Sequence, residues 1–233
     1  MITTATSHEV RDASPNIAVL PVGSFEQHGG HLPLATDTLV AAAVATAIAD
    51  AYGLFLLPPV TIGCSHEHED FPGTVSIRAT TLAAVVDDVL DSLARQGITR
   101  TVIVNGHGGN YVLSNVVQQV NRGPRHVALY PEKAEWAEAR TAAGCDTDHS
   151  TDMHAGELET SLLLHLNHTL VREGWQRADH FAPDRRLLLT QGMRALTTAG
   201  VVGKPSAATA AKGAAALASL TKIFADRLHS IGG

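Results

Sequence analysis

Short aliphatic runs alternate with helical periodicity over the first half of the chain. NIAVLPVG, LFLLPPV and RTVIVNG have strand length, and between them TLVAAAVATAIADAYG and TLAAVVDDVLDSLARQG repeat apolar residues at the spacing of a helix face. The order is β-α-β-α-β. These strands are apolar throughout, not alternating, which is the pattern of a parallel sheet covered on both sides. In the second helix Leu82, Val85, Val86, Val89, Leu90 and Leu93 form one stripe, and Gly97 marks the stop. Downstream, the spacing predicts a helix from about Asn110 to Gln119, a strand at HVALY and a helix within PEKAEWAEARTAAG. A further helix, ELETSLLLHL, carries Leu158, Leu162, Leu163 and Leu166 on one face. Residues 168–206 read as irregular, and an Ala-rich helix follows to about His229 with Ser206 as its cap. The expectation is one α/β domain over residues 1–233, a mostly parallel β-sheet with helices on both faces.

Composition narrows the partners. A net charge of -6 without a basic run excludes a nucleic-acid partner, because phosphate neutralisation needs clustered Lys and Arg. The N-terminal MITTATSHEVRDAS lacks the basic and apolar regions of a signal peptide, and no apolar run approaches membrane-spanning length. The expected address is cytoplasmic, with no membrane partner. Two cysteines, Cys64 and Cys145, build neither a disulfide framework nor a thiolate zinc site. The 13 histidines are the anomaly, since imidazole is the usual nitrogen ligand of transition metals.

Those histidines collect where a parallel sheet binds ligands, in the loops after the strands. GSFEQHGGHLPLATD follows the first strand, TIGCSHEHEDFPGT the second and NGHGGN the third. Glu26 and His28 are two apart, so an extended segment turns both to one side. Asp37 falls at the start of the next helix, where it either caps that helix or bridges two ions. His107 sits among glycines that let a ligand approach closely, in a motif without Rossmann or P-loop spacing. On the ELETS helix Glu159 lies closer to the apolar face than Glu157, and His154 precedes it as a candidate proton carrier. His31 reads as support or pocket wall. Glu26, His28, Asp37, His107 and Glu159 form a mixed carboxylate and imidazole set suited to Zn²⁺, Mn²⁺ or Fe²⁺. Five ligands exceed the need of one catalytic zinc, and two ions sharing Asp37 would account for the surplus. In HEHED, one or two side chains line a pocket and the rest are solvated; His66 and His68 are the candidates for substrate contact. FPGT after it reads as a rigid turn.

With these residues assembled, the chain resembles the creatininase (creatinine amidohydrolase) family over nearly its whole length. The matching stretches are PVGSFEQHGGHLPLATDT, DFPGTVSI, NGHGGN, HAGELETSLLL and GVVGKPSAATAAKG. The resemblance implies a single α/β domain that assembles as a homohexamer and holds two divalent metals per chain. By motif, Glu26, Asp37 and His107 would bind one ion, and His28, Asp37 and Glu159 the other. His154 matches a histidine that moves a proton from the attacking water to the leaving nitrogen. Enzymes of this resemblance that open creatinine carry a carboxylate where this chain has Gly109, and an acid where it has Met153. Their tryptophans before the ETS helix are missing as well, since Trp136 and Trp175 fall elsewhere. Gly109 and Met153 therefore read as substrate-contact positions that point away from creatinine. Gly-Gly-Asn is the pattern of the wider family, which includes deformylases of pyrimidine intermediates and the peptidase that trims the mycofactocin precursor.

The expected activity is hydrolysis of a C–N amide bond, in a lactam, formamide, small amide or short peptide, by a metal-held hydroxide with His154 as proton shuttle. A mycofactocin-type peptidase removing a C-terminal dipeptide is the alternative enzyme. From another class, a metal-binding structural or regulatory protein without catalysis would share the ligands but not the turnover.

Overall fold

A computed structural model describes residues 3–232. The strands are β1 (Ile17–Val22), β2 (Phe55–Leu56), β3 (Arg100–Asn105) and β4 (His126–Tyr130). They form one parallel sheet of order β2-β1-β3-β4, in which Ile17 lies opposite Arg100 and Arg100 opposite His126. The helices are α1 (Ser7–Ala13), α2 (Thr36–Tyr52), α3 (Ala79–Arg95), α4 (Val112–Val120), α5 (Lys133–Ala142), α6 (Glu157–Asn167), α7 (Leu188–Gln191) and α8 (Ala210–Ser230).

The uninterrupted apolar strands are buried from both sides, as their composition requires. Ile17, Val19, Val102, Val104, Ala128 and Tyr130 turn to a layer built by α2, α6 and α8. Leu20, Val22, Ile103 and Val127 turn to Leu82, Val86 and Leu90 of α3 and Leu113 and Val116 of α4. In α3 the stripe narrows to Leu82, Val86, Leu90 and Leu93, and Val85 is exposed beside it. The helix ends at Arg95, and Gly97 follows at φ 84° in the left-handed region.

Phe224 on α8 is fully buried, with the rings of Tyr52 and Tyr130 edge-on at 5.3 and 5.1 Å. The Tyr130 hydroxyl donates to the Leu220 carbonyl. Phe224→Ala is expected to cost about 3–5 kcal/mol of stability, read as a lower urea midpoint with an unchanged denaturant slope.

Three boundaries differ from the sequence reading. LFLLPPV shortens to Phe55–Leu56 with a single bridge from Val22 to Val60, because Pro58 and Pro59 have no N–H for a ladder. The cap of α8 is Thr209, whose side chain accepts from the Lys212 N–H, while Ser206 sits in a preceding 3-10 turn and bonds Asp179. Finally, Ser7–Ala13 is a helix absent from the elements predicted above. Its signal was present, because Thr6 and Glu9 form a reciprocal capping box.

Candidate functional site

The carboxyl ends of β1 and β3, the His66–His68 turn and the approach to α6 converge on one buried group. Glu26, His28, Asp37, His68, His107 and His154 are all between 0% and 6% exposed. Burying so many ionisable groups is costly unless each finds a compensating charge or bond.

Asp37 is central. It opens α2, yet no side chain caps that helix, so the capping role does not hold. Instead Asp37 Oδ2 accepts from Ser24 Oγ at 2.6 Å, His28 Nε2 lies 3.1 Å from Oδ1, and His107 Nδ1 lies 3.0 Å from Oδ2. Each histidine is held on its far side by the backbone. His28 Nδ1 is 3.1 Å from the Glu26 carbonyl and His107 Nε2 is 2.9 Å from the Cys64 carbonyl. A carbonyl only accepts, so these nitrogens carry the N–H, and the opposite nitrogens turn their lone pairs to the Asp37 carboxylate. Lone pair against carboxylate repels unless a proton or a cation lies between. Ring orientation by a backbone carbonyl is how metal-ligating histidines are held.

Glu26 and Glu159 complete this arrangement. Both Glu26 oxygens are buried without a hydrogen-bond partner, although His107 Nε2 stands 3.2 Å and His68 Nε2 3.3 Å away, out of line for a bond. Burial pushes the Glu26 carboxyl up to about 7, and burial likewise raises Glu159 to about 7. His28 rises to about 9 and His107 to about 10, because the neighbouring carboxylates outweigh the burial that opposes their charge. Carboxylates that resist ionising beside imidazoles that bind protons describe a centre short of positive charge, the shortfall a divalent cation would fill. Glu159 accepts from the Ala155 N–H at 2.5 Å and lies 4.0 Å from His28 Nε2. Glu157, read as turned away, is buried but used elsewhere: it accepts from the Asp146 and Thr147 N–H groups and pairs with Lys212 at 2.5 Å.

Three groups among the described residues have ligand atoms close enough to share an ion: Glu26, His28 and Asp37; His28, His154 and Glu159; and Glu26, His68 and His154. His154 lies between the rings of His28 and His68, at centroid distances of 4.2 and 4.5 Å. Its Nε2 donates to the Gln27 carbonyl at 2.7 Å, leaving Nδ1 as the lone pair, 3.6 Å from Glu26. Burial and the charges of His28 and His68 hold its pKa well below the usual range.

The remaining sequence candidates separate. His68 is buried in the cluster, with Nδ1 3.0 Å from the Gln27 amide nitrogen, while His66 is exposed and 3.2 Å from Ser76 Oγ. His31 is buried with Nε2 3.3 Å from Thr160 Oγ1. Met153 lines a cavity of about 360 Å³ that also reaches His107 and Glu159. Gly109 and His66 line a second cavity, of about 500 Å³.

Three contributors escaped the sequence reading. Gln27 holds His68 and His154 through its amide and its carbonyl. Asp152 accepts from the Glu157 N–H at 2.7 Å and pairs with Arg140 at 2.9 Å, anchoring the start of α6. Glu67, expected to be solvated, turns inward, with Oε1 3.7 Å from His107 Nε2. A signal existed only for Asp152, as an acid shortly before a helix start. A Cβ at Gly109 would stand 2.2 Å from Glu67 Oε1 and 2.3 Å from His107 Nε2, so only glycine allows this approach. Gly109→Ala is expected to lower kcat/KM by about a hundredfold through misplacement of His107. Glu67→Ala in the same chain should recover part of the loss, and additive losses in that double-mutant cycle would refute the crowding.

Known proteins resemble the chain in sequence and in fold. The family model described as "Creatininase: Creatinine amidohydrolase" matches residues 3–228. The mycofactocin precursor peptide peptidase of Mycolicibacterium smegmatis is 37% identical over 235 residues, covering 97% of this chain and 89% of that protein. The creatinine amidohydrolase of Pseudomonas putida is 36% identical over 109 residues, 44% of this chain and 42% of that protein. A crystal structure of creatinine amidohydrolase superposes with a TM-score of 0.85 at 26% identity, covering 99% of this chain and 97% of that one. A mutant creatininase of Zn-Zn type gives 0.84 at 25% identity, with coverage of 99% and 97%. The chain belongs to the creatininase family, whose members here are hydrolases of amide bonds.

Proposed function

We propose that the protein is a dinuclear metal-dependent peptidase of the kind that trims the mycofactocin precursor peptide, releasing a C-terminal dipeptide. The observation that carries the metal reading is the pair of histidines, His28 and His107, each fixed by a backbone carbonyl and each facing one oxygen of Asp37. The peptide reading is supported by the peptidase relative, which aligns along 97% of the chain, where the creatinine amidohydrolase aligns along 44%. Cavities of about 360 and 500 Å³, both bordering the loop that carries His107, suit a substrate longer than one small ring.

In this reading Glu26, Asp37 and His107 would hold one divalent ion, and His28, Asp37 and Glu159 the other, as Zn²⁺, Mn²⁺ or Fe²⁺; His107 is in none of the three groups above and would join through Nδ1, which faces Asp37. Bound ions would polarise the scissile carbonyl and lower the pKa of a water. The chain supplies the rest. Gln27 fixes the His154 tautomer, so Nδ1 accepts the proton of the attacking water and returns it to the departing amine. The buried walls keep bulk water from competing for that proton. Met153, His66 and Gly109 border the path of the substrate, and His68 stands behind it in the buried cluster. The same reading takes the protein as a cytoplasmic homo-oligomer, hexameric by family likeness; among the described residues no helix is long and apolar enough to cross a membrane. Sedimentation should then give a particle of six 24.5 kDa chains, and a monomer would refute that part.

The test is incubation of the metal-loaded protein with the synthetic C-terminal segment of a mycofactocin precursor, followed by mass spectrometry. Release of a dipeptide that stops on chelation and returns with added Zn²⁺ or Mn²⁺ is expected. Intact peptide beside hydrolysis of a lactam or formamide would replace the peptidase by a small-amide hydrolase.

A further inference from the structure

We infer that the cavity beside the metal centre carries a receptor for the terminal carboxylate of the substrate, built by Lys133 beside the Asp152-paired Arg140 and backed by Arg185. The inference rests on the peptidase reading and specifies how such a substrate would be held.

The chain as a whole is acidic, with 23 Asp and Glu against 17 Lys and Arg. The cavity of about 360 Å³ departs from that average. His107 and Glu159 line it, and so do Lys133, Arg140 and His149. Arg185 does not line the cavity but braces the loop that carries His149, donating Nη2 to the His149 and Ser150 carbonyls at 3.1 Å. Three cations therefore surround His149. Desolvation and then the positive charges of Arg185, Lys133 and Arg140 hold that imidazole below its ordinary pKa.

The anions nearby are already engaged. Asp152 pairs with Arg140 at 2.9 Å, and Glu132, which also lines the cavity, pairs with Arg227 at 2.9 Å. Asp148 accepts from Ser150 and Thr151 within its own turn. Among the described residues, neither Lys133 nor Arg185 has a carboxylate within ion-pair distance, and Arg185 Nη1 is buried with no hydrogen-bond partner. Asp152 balances the charge of Arg140, so the unpaired cations are Lys133 at the cavity wall and Arg185 behind the loop; such cations attract an anion, and arginine near lysine suits a carboxylate.

Placement favours a peptide end over a free anion. The cavity joins this positive wall to His107 and Glu159 and is floored by apolar side chains, among them Trp136 and Leu162. Two extended residues span about 7 Å, so anchoring the terminal carboxylate sets which amide bond reaches the ions. Counting residues from the C-terminus thus becomes a property of the wall.

The test compares one peptide, the C-terminal segment of a mycofactocin precursor, made as the free acid and as the C-terminal amide. Wild-type protein should cut the acid with a KM at least about tenfold lower than the amide. Lys133→Ala should raise KM for the acid by a similar factor and leave the amide unchanged. Lys133 is exposed, so this variant is expected to keep the melting temperature and metal content of the wild type. Equal KM values for acid and amide in the wild type would overturn the receptor while leaving the peptidase reading intact. If neither peptide is cut by metal-replete protein, the peptidase reading falls and the receptor falls with it.

Discussion

Asp37→Ala is expected to leave the protein with little bound metal and to reduce amide hydrolysis by on the order of a thousandfold or more. Both carboxylate oxygens are committed, one facing His28 Nε2 at 3.1 Å and the other facing His107 Nδ1 at 3.0 Å with Ser24 behind it. Alanine removes both contacts at once and leaves two buried imidazoles with nothing between them. Elemental analysis of protein purified without added metal provides the measurement. About two ions per wild-type chain, both diminished in the variant, is the expected pattern. One ion, or two that survive the substitution, would rule out a shared carboxylate. Asp37→Asn keeps the volume and separates lost charge from a collapsed site, since Ser24 can still bond to the amide oxygen.

His154→Ala should have the second largest effect, lowering kcat by roughly 10²–10⁴-fold with little change in KM. The expectation follows from its Nε2–H being tied to the Gln27 carbonyl, which leaves Nδ1 to exchange a proton beside Glu26. Metal content discriminates here, because His154 belongs to two of the three groups that could share an ion. Unchanged metal beside lost turnover identifies a proton carrier. Loss of an ion would move His154 into the ligand set and require another group for the proton. Gln27→Leu offers a milder probe: the His154 carbonyl partner survives while the amide contact to His68 is lost, so its effect should be well below that of removing the ring.

How much of this was legible can be followed element by element. The strands were readable because a buried parallel strand must be apolar on both faces, and β1 shows that over all six residues and β3 over Val102–Val104. α3 was readable because its apolar spacing matches 3.6 residues per turn. β2 was overextended because hydrophobicity reports burial and says nothing of missing N–H donors at Pro58 and Pro59. The last helix began three residues after Pro205–Ala207 because both Ser206 and Thr209 are good caps by chemistry, and only the path of the chain chose between them.

The site divides along the same line. Residue type and period placed Glu26 and His28 on one side of an extended segment and His107 at a strand end, and both expectations rest on local geometry alone. Those choices, together with the motifs around them, were enough to indicate the family and an amide-bond chemistry. Whether Asp37 capped a helix or faced two imidazoles, whether Glu157 or Glu159 pointed to the centre, and whether Glu67 was solvated were decided by tertiary structure. Each of those side chains has a satisfactory local alternative, so its sequence neighbours do not discriminate. Glu157 went to Lys212, which lies 55 positions away, and Glu67 found room because residue 109 has no Cβ. The cations around His149 come from α5 and from residue 185, and no local pattern joins them. Sequence determines what each segment can do by itself, whereas the partners of a buried charge are set by which distant segments the packed core brings within a few ångströms of it.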